Sequence, residues 1–321
     1  MTLETHAGQA LRLVLTVAGL AIAAVLALRI TVPLLESRLA FFPPRGLLAT
    51  PETFGLPYEE VPLTTADGVR LHAWFVPAGA EAPAGAGAAP AIRRRPLSLI
   101  LFHGNAENIG DGVSVAALTR AAGHNVLLVD YRGYGRSEGS PSEKGIYRDG
   151  EAALAALRAR PGVDPEGIVV WGRSIGGAVA VHLAASQPVR AVILESPFTS
   201  VHELLREGGY GLMAFLARFG TYRFDSASRI VRVRAPLLVV HGTGDEIIPF
   251  ALGRRLHDLA PGPREFLAIE GGGHNDLWAR HARDVWGGIA AFLERLKVSG
   301  GDAGAPAGGA PASRPGTAGR R

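Results

Sequence analysis

Residues 13–28 read LVLTVAGLAIAAVLAL, an uncharged apolar run bracketed by Arg12 and Arg29. At about 1.5 Å per residue it covers roughly 24 Å as a helix, a little short of the roughly 30 Å hydrocarbon core of a bilayer. Arginines at both ends can snorkel to the headgroups, and Ile30, Val32, Leu34 and Leu35 lengthen the stretch. Residues 1–40 are therefore expected to form a single-pass membrane anchor. A cleaved signal peptide or a buried helix would share the apolar pattern. A signal peptide ends in a small-residue cleavage site, whereas Arg29-Ile30-Thr31-Val32-Pro33 follows here. Arg29, Arg38 and Arg45 follow the span and Arg12 precedes it, a balance that places the remainder on the cytoplasmic side.

Past Phe41-Phe42-Pro43-Pro44 the pattern changes. Residues 58–65 and 69–77 alternate about Asp67-Gly68, as a hairpin does. Short apolar runs then alternate with helical periods. Strands are expected over 97–103, 167–172, 191–196, 235–242 and 264–271, and 125–135 reads as a strand running into a Gly-rich loop. Helices are expected over 113–122, 146–158, 176–186, 250–259 and 279–296. Such a rhythm predicts an α/β fold, a mainly parallel sheet with helices on both faces, over residues 41–298. Residues 78–96 are rich in Ala, Gly and Pro and read as a flexible loop. Residues 299–321 are similar and read as a disordered tail. Residues 198–228 are irregularly amphipathic and sit where a lid would be inserted. There Leu212, Met213, Phe215, Leu216 and Phe219 either line an acyl pocket or pack on the sheet.

Composition narrows the class. The net charge is +4 with a pI near 9.7, but the excess is confined to two segments. Arg93, Arg94 and Arg95 stand against Glu81 in the loop, and Arg314, Arg320 and Arg321 against Asp302 in the tail. Nothing is left for the basic face a nucleic-acid binder needs, so no nucleic-acid partner is expected. The absence of cysteine excludes disulfides, thiolate metal sites and a Cys nucleophile.

Gly172-Arg173-Ser174-Ile175-Gly176 matches G-x-S-x-G. With 42 glycines in the chain the match alone is weak; its setting between a predicted strand and a predicted helix strengthens it. A nucleophile elbow needs that setting, with Gly172 and Gly176 allowing strand and helix to pass closely and Ser174 at the helix N-terminus. A serine hydroxyl needs a base, and the base an orienting carboxylate. His274 follows the strand at 264–271, and Asp245 follows the strand at 235–242. They stand in the order Ser, acid, His. Glu246 and Glu195 compete for the acid role, and His257 and His281 are expected on helix surfaces. His103-Gly104-Asn105 follows an earlier strand end. The backbone N–H groups of Asn105 and Ile175 are expected to form the oxyanion hole, with His103 and Asp130 organising loops and His241 packing structurally at its strand end.

Together with Phe42-Pro43-Pro44, Ala66-Asp67-Gly68-Val69-Arg70-Leu71, His103-Gly104-Asn105-Ala106, Asp130-Tyr131-Arg132-Gly133-Tyr134-Gly135-Arg136-Ser137, Gly172–Gly177, His241-Gly242 and Gly273-His274, these motifs resemble the membrane-anchored α/β-hydrolase-domain proteins of the α/β-hydrolase superfamily. The resemblance covers about residues 41–297. It implies Ser174, Asp245 and His274 as a triad that hydrolyses a carboxyl ester or thioester, on an acyl or lipid-like substrate, without metal or cofactor. Glu107 departs from the family pattern, where Gly often follows the HGNA motif. A carboxylate there would either disfavour anionic substrates or point outward. A peptidase or amidase with the same triad, and a non-catalytic membrane-tethered interaction protein, are the alternatives. No G-x-G-x-x-G opens a helix, which argues against a dinucleotide enzyme.

Overall fold

The computed structural model describes residues 3–79 and 95–299. The flexible loop expected at 78–96 and the tail at 299–321 therefore lie almost wholly outside the described residues. A long helix, α1 (Leu3–Ala40), carries the apolar run. From Gly8 to Ala40 it is long and apolar enough to cross a membrane.

Among the described residues one sheet of eight strands forms the body, in the order β1 (Glu59–Glu60), β4 (Ala73–Val76), β6 (Asn125–Val129), β5 (Ser98–Phe102), β7 (Ile168–Arg173), β8 (Ala191–Glu195), β9 (Leu237–Gly242), β10 (Arg264–Ile269). The pairings β1–β4 and β4–β6 are antiparallel. Every later pairing is parallel, in keeping with helical crossovers between consecutive strands. The expected hairpin is divided. Its tip forms a separate ribbon of β2 (Leu63–Thr64) and β3 (Arg70–Leu71) around the Gly68 turn. Its outer parts, β1 and β4, extend the main sheet. Pro62 between β1 and β2 has no N–H to continue a ladder.

The central strands are buried along their length, as strands covered on both faces must be. One face packs against α3 (Glu143–Ala159), α4 (Ile175–Ser186) and α8 (Phe250–Leu259) through Ile146, Leu154, Val179, Leu183 and Leu252. The other packs against α2 (Val113–Ala121) and α10 (Ala282–Ser299) through Val113, Ile289 and Leu293. The helix expected over 279–296 is interrupted at His281. A short α9 (Leu277–Arg280) ends there, and the His281 carbonyl accepts the first bonds of α10.

Residues 198–228 fold as α5 (Val201–Glu207), α6 (Gly211–Leu216) and α7 (Ser226–Ile230). Neither α5 nor α6 buries a residue fully; Val201 and Leu204 of α5 pack part-buried against the core, while α6 stays more exposed. They stand over the carboxyl ends of the parallel strands, the end at which open α/β sheets bind ligands.

Candidate active site

β7 turns directly into α4 at Ser174. Its φ of 52° and ψ of −118° are a conformation that a residue with a Cβ adopts only under strain, on the order of 1–3 kcal/mol. The turn is tight enough that a Cβ on Gly172 would lie 2.1 Å from the Gly176 carbonyl oxygen, and one on Gly176 2.2 Å from that of Phe102. Only glycine fits either position, which is why strand and helix can cross so closely. Among the described residues the N–H of Ile175, the first residue of α4, has no protein acceptor, as expected at a helix N-terminus.

His274 and Asp245 bond to each other, and His274 lines the same cavity as Ser174. The His274 ring donates from Nδ1 to Asp245 Oδ2 at 2.8 Å, which leaves Nε2 as the acceptor. Asp245 Oδ1 accepts the N–H groups of Ile247 and Ile248 at 3.0 and 2.7 Å. His241, fully buried, shares its Nε2 proton between the Ile248 carbonyl (3.0 Å) and Asp245 Oδ2 (3.2 Å). Burial alone would raise the Asp245 pKa. The hydrogen bonds from His241 and His274, the His274 charge and the Ile248 N–H outweigh that, and hold the carboxyl well below the ordinary range. His241, read from the sequence as packing structurally at the strand end, is a direct partner of Asp245.

The competing acids have other partners. Glu246 accepts the backbone N–H of His274 at 3.2 Å rather than its ring proton. Glu195 is buried under Trp278, whose indole N–H reaches both its oxygens at 3.1 and 3.0 Å. His257 is not on an open surface: it pairs with Asp258 and packs edge-on against Phe266, largely buried, and His281 sits at the break between α9 and α10.

The loop after β5 carries Asn105. His103 is buried, with Nδ1 2.8 Å from the Gly104 carbonyl, and it packs on Tyr131 and Tyr134. Asp130 is buried and accepts the Ile109 N–H at 3.0 Å, fixing the far end of the loop. Among the described residues the backbone N–H of Asn105 has no protein acceptor. Its side chain is held by Tyr134, whose hydroxyl donates to Oδ1 at 2.8 Å, and by the Ala40 carbonyl, which accepts from Nδ2 at 2.8 Å.

Glu107 neither points outward nor presents a free charge. Its Oε2 accepts the Gly104 N–H at 2.7 Å and its Oε1 pairs with Arg173 Nη1. Arg173 Nη2 in turn donates to the His274 carbonyl at 3.0 Å. One guanidinium therefore joins the Asn105 loop, the elbow and the His274 loop. The sequence flagged Glu107 as a departure but gave Arg173 no role. The clue available was the coincidence of an arginine beside the serine with a carboxylate at the exceptional loop position.

Ser174, Ile175, Asn105 and His274 all line one cavity of about 720 Å³. Its walls are mostly apolar and come from α5, α6 and, unexpectedly, from α1. Of the five residues proposed for an acyl pocket, Met213 and Leu216 line it. Leu212, Phe215 and Phe219 do not; Leu212 is 72% exposed, and Phe215 packs edge-on against Phe219. The short α6 presents only one face to the cavity.

Comparison with known proteins leads to the same architecture. A family model described as the alpha/beta hydrolase fold matches residues 98–229. An uncharacterized protein of Mycobacterium tuberculosis is 34% identical over 269 residues, 83% of this chain and 89% of that protein. Alpha/beta hydrolase domain-containing protein 17C of Homo sapiens is 41% identical over 214 residues, 64% of this chain; the match spans 59% of that protein's length. Among solved structures, a Pyrococcus furiosus esterase superposes with a TM-score of 0.64 at 19% identity, over 80% of this chain and 99% of its own. An acetyl xylan esterase from Paenibacillus sp. R4 superposes with a TM-score of 0.57 at 19% identity, over 79% and 97%. The sheet order, the strained serine elbow and these relatives together place the chain in the α/β-hydrolase family.

Proposed function

We propose that the protein is a serine hydrolase that cleaves a carboxyl ester or thioester through an acyl-enzyme, with Ser174 as nucleophile, His274 as base and Asp245 as its orienting acid. The observation that carries this is the 2.8 Å bond from the His274 ring to Asp245, with His274 and the strained Ser174 facing one apolar cavity. Ser174 Oγ attacks the acyl carbonyl carbon while His274 Nε2 takes its proton. The carbonyl oxygen, now carrying the charge, receives hydrogen bonds from the Asn105 and Ile175 N–H groups. His274 returns the proton to the departing alcohol or thiol. It then removes a proton from water, whose oxygen attacks the acyl-serine; as the acid is released, His274 passes that proton to Ser174 Oγ and the resting enzyme is restored. Asp245, kept ionised by its two histidines, stabilises the imidazolium in both steps.

The cavity favours an acyl group over a peptide, because its walls are apolar beyond the reacting end. The esterases among the structural relatives support an ester substrate in the same direction. α1 serves as a single-pass anchor, with the hydrolase domain on the cytoplasmic side by the arginine balance. The test is fluorophosphonate labelling of membrane fractions. Wild type is expected to label, and Ser174→Ala to lose labelling entirely. Equal labelling of the two would overturn the nucleophile assignment.

A further inference from the structure

α1 is longer than a membrane requires. Its 38 residues span roughly 57 Å, against a hydrocarbon core of roughly 30 Å. Ile30 to Leu35 are apolar enough to lengthen the span, but about 20 residues from Gly8 suffice to cross, and the turns from Arg29 to Ala40 then stand outside the hydrocarbon core, over roughly 18 Å. These turns are docked on the hydrolase domain. Leu28, Val32, Pro33, Glu36, Ser37 and Ala40 are partly buried at helical spacing, while Leu34 on the opposite face is 74% exposed. The Glu36 carboxylate accepts the N–H groups of Thr221 and Tyr222 and the Thr221 hydroxyl, each at 2.7 Å. Ser37 donates to the Pro141 carbonyl at 2.8 Å and meets the Tyr222 hydroxyl at 2.6 Å.

The same turns form one wall of the cavity. Leu28, Thr31, Val32, Leu35 and Leu39 line it, running from the bilayer end of the domain toward Ser174. At the catalytic end, the carbonyl of Ala40, the last residue of the helix, accepts from the Asn105 side chain at 2.8 Å. A terminal carbonyl has no partner within its own helix, and here it fixes the loop that carries an oxyanion donor.

We propose that the extramembrane turns of the anchor helix are part of the active site. They are the track along which an acyl chain passes from the bilayer to Ser174, and through Asn105 they position the oxyanion loop. The substrates are then long-chain acyl esters or thioesters whose chain lies in the leaflet next to the domain. This rests on the hydrolase reading above and adds to it a route and a specificity wall. Each methylene buried along the wall contributes about fourfold to kcat/KM, from about 0.8 kcal/mol per CH₂.

The test uses the full-length protein in phosphatidylcholine vesicles, with p-nitrophenyl butyrate and p-nitrophenyl palmitate as probes. Leu35→Trp, and Val32→Phe as a second variant on the same wall, are expected to lower the palmitate-to-butyrate ratio of kcat/KM at least tenfold. Leu34→Trp, on the exposed face, leaves that ratio as in wild type. Asn105→Ala is expected to lower kcat about tenfold on both esters, with KM little changed. Fluorophosphonate labelling verifies a competent serine in each variant. A ratio that Leu35→Trp and Val32→Phe shift no more than Leu34→Trp does, in labelled enzyme, overturns the proposal and leaves the hydrolase reading standing. Failure of wild type both to label and to turn over either ester overturns the hydrolase reading, and this proposal with it.

Discussion

Arg173 offers the sharpest test of how the site is held. Arg173→Met removes the donor to the His274 carbonyl and leaves Glu107 without its cation. Both side chains are about one-fifth exposed, at 21% and 19%. The cost therefore falls between an exposed pair, under about 1 kcal/mol, and a broken buried pair, about 3–5 kcal/mol. A value of about 2 kcal/mol, felt as displacement of the oxyanion loop and the His274 loop, lowers kcat/KM about 30-fold. Glu107→Gln keeps an acceptor for the Gly104 N–H and loses only the charge, so its loss is smaller, about 1 kcal/mol or fivefold.

The two side chains act as one bridge, so the double variant should be no worse than Arg173→Met alone. The coupling is then about 1 kcal/mol in a double-mutant cycle. The assay is hydrolysis of p-nitrophenyl butyrate per fluorophosphonate-titrated serine, with thermal unfolding measured in parallel. Additive losses in the cycle would refute the bridge. So would losses that follow the fraction of folded protein and vanish when rates are expressed per titrated serine.

Two further outcomes follow from burial and strain. Ser174→Gly relieves a φ of 52° that Ser174→Ala retains. After allowance for the greater freedom of glycine in the unfolded chain it should be more stable than Ser174→Ala by about 1 kcal/mol; equal denaturation midpoints would remove strain from the account of the elbow. His124 is fully buried and, among the described residues, neither ring nitrogen has a hydrogen-bond partner; burial first, then the charge of Lys297, lowers its pKa to about 4. The unfolded chain takes up this proton near pH 6.5 and the folded chain does not, so stability is complete above about 6.5 and falls as the pH drops toward 4. The loss is on the order of 3 kcal/mol, and His124→Leu should flatten that part of a pH–stability profile; an unchanged acid slope would refute it.

The sheet and the elbow were legible because they depend on backbone constraints that particular residue types satisfy. Buried strands require continuous apolar runs, and the turn at Ser174 excludes a Cβ at Gly172 and Gly176. Partnerships between distant side chains left no such trace. Arg173 and Glu107 are 66 residues apart, and neither residue type marks a bridge. The role of α1 was hidden for a different reason. Its hydrophobicity is explained by the membrane, so the second use of Val32, Leu35 and Leu39 as a cavity wall adds no visible feature to the pattern. Likewise α6 is apolar on all sides, and which of its residues face the cavity depends on where α1 stands.

The choice of acid shows what geometry adds to order along the chain. Asp130, Glu195 and Asp245 each lie at or just past the carboxyl end of a central strand, and each side chain is nearly or wholly buried. In sequence terms they are alike, and position relative to Ser174 and His274 removes only Asp130. Partners separate the other two. Both oxygens of Glu195 are bonded to the Trp278 indole, and burial raises its pKa against the opposing charge of Arg173. A carboxyl so placed is a poor stabiliser of a transient imidazolium, because it resists ionisation and is turned toward the Trp278 indole rather than toward the His274 ring. Asp245 directs one oxygen at two backbone N–H groups and the other at two imidazoles, and its pKa is driven down despite burial. Its charge is therefore already present, fixed in direction, before any proton moves to His274. That preorganisation, rather than burial or position in the chain, is what suits Asp245 to the acid role proposed for it.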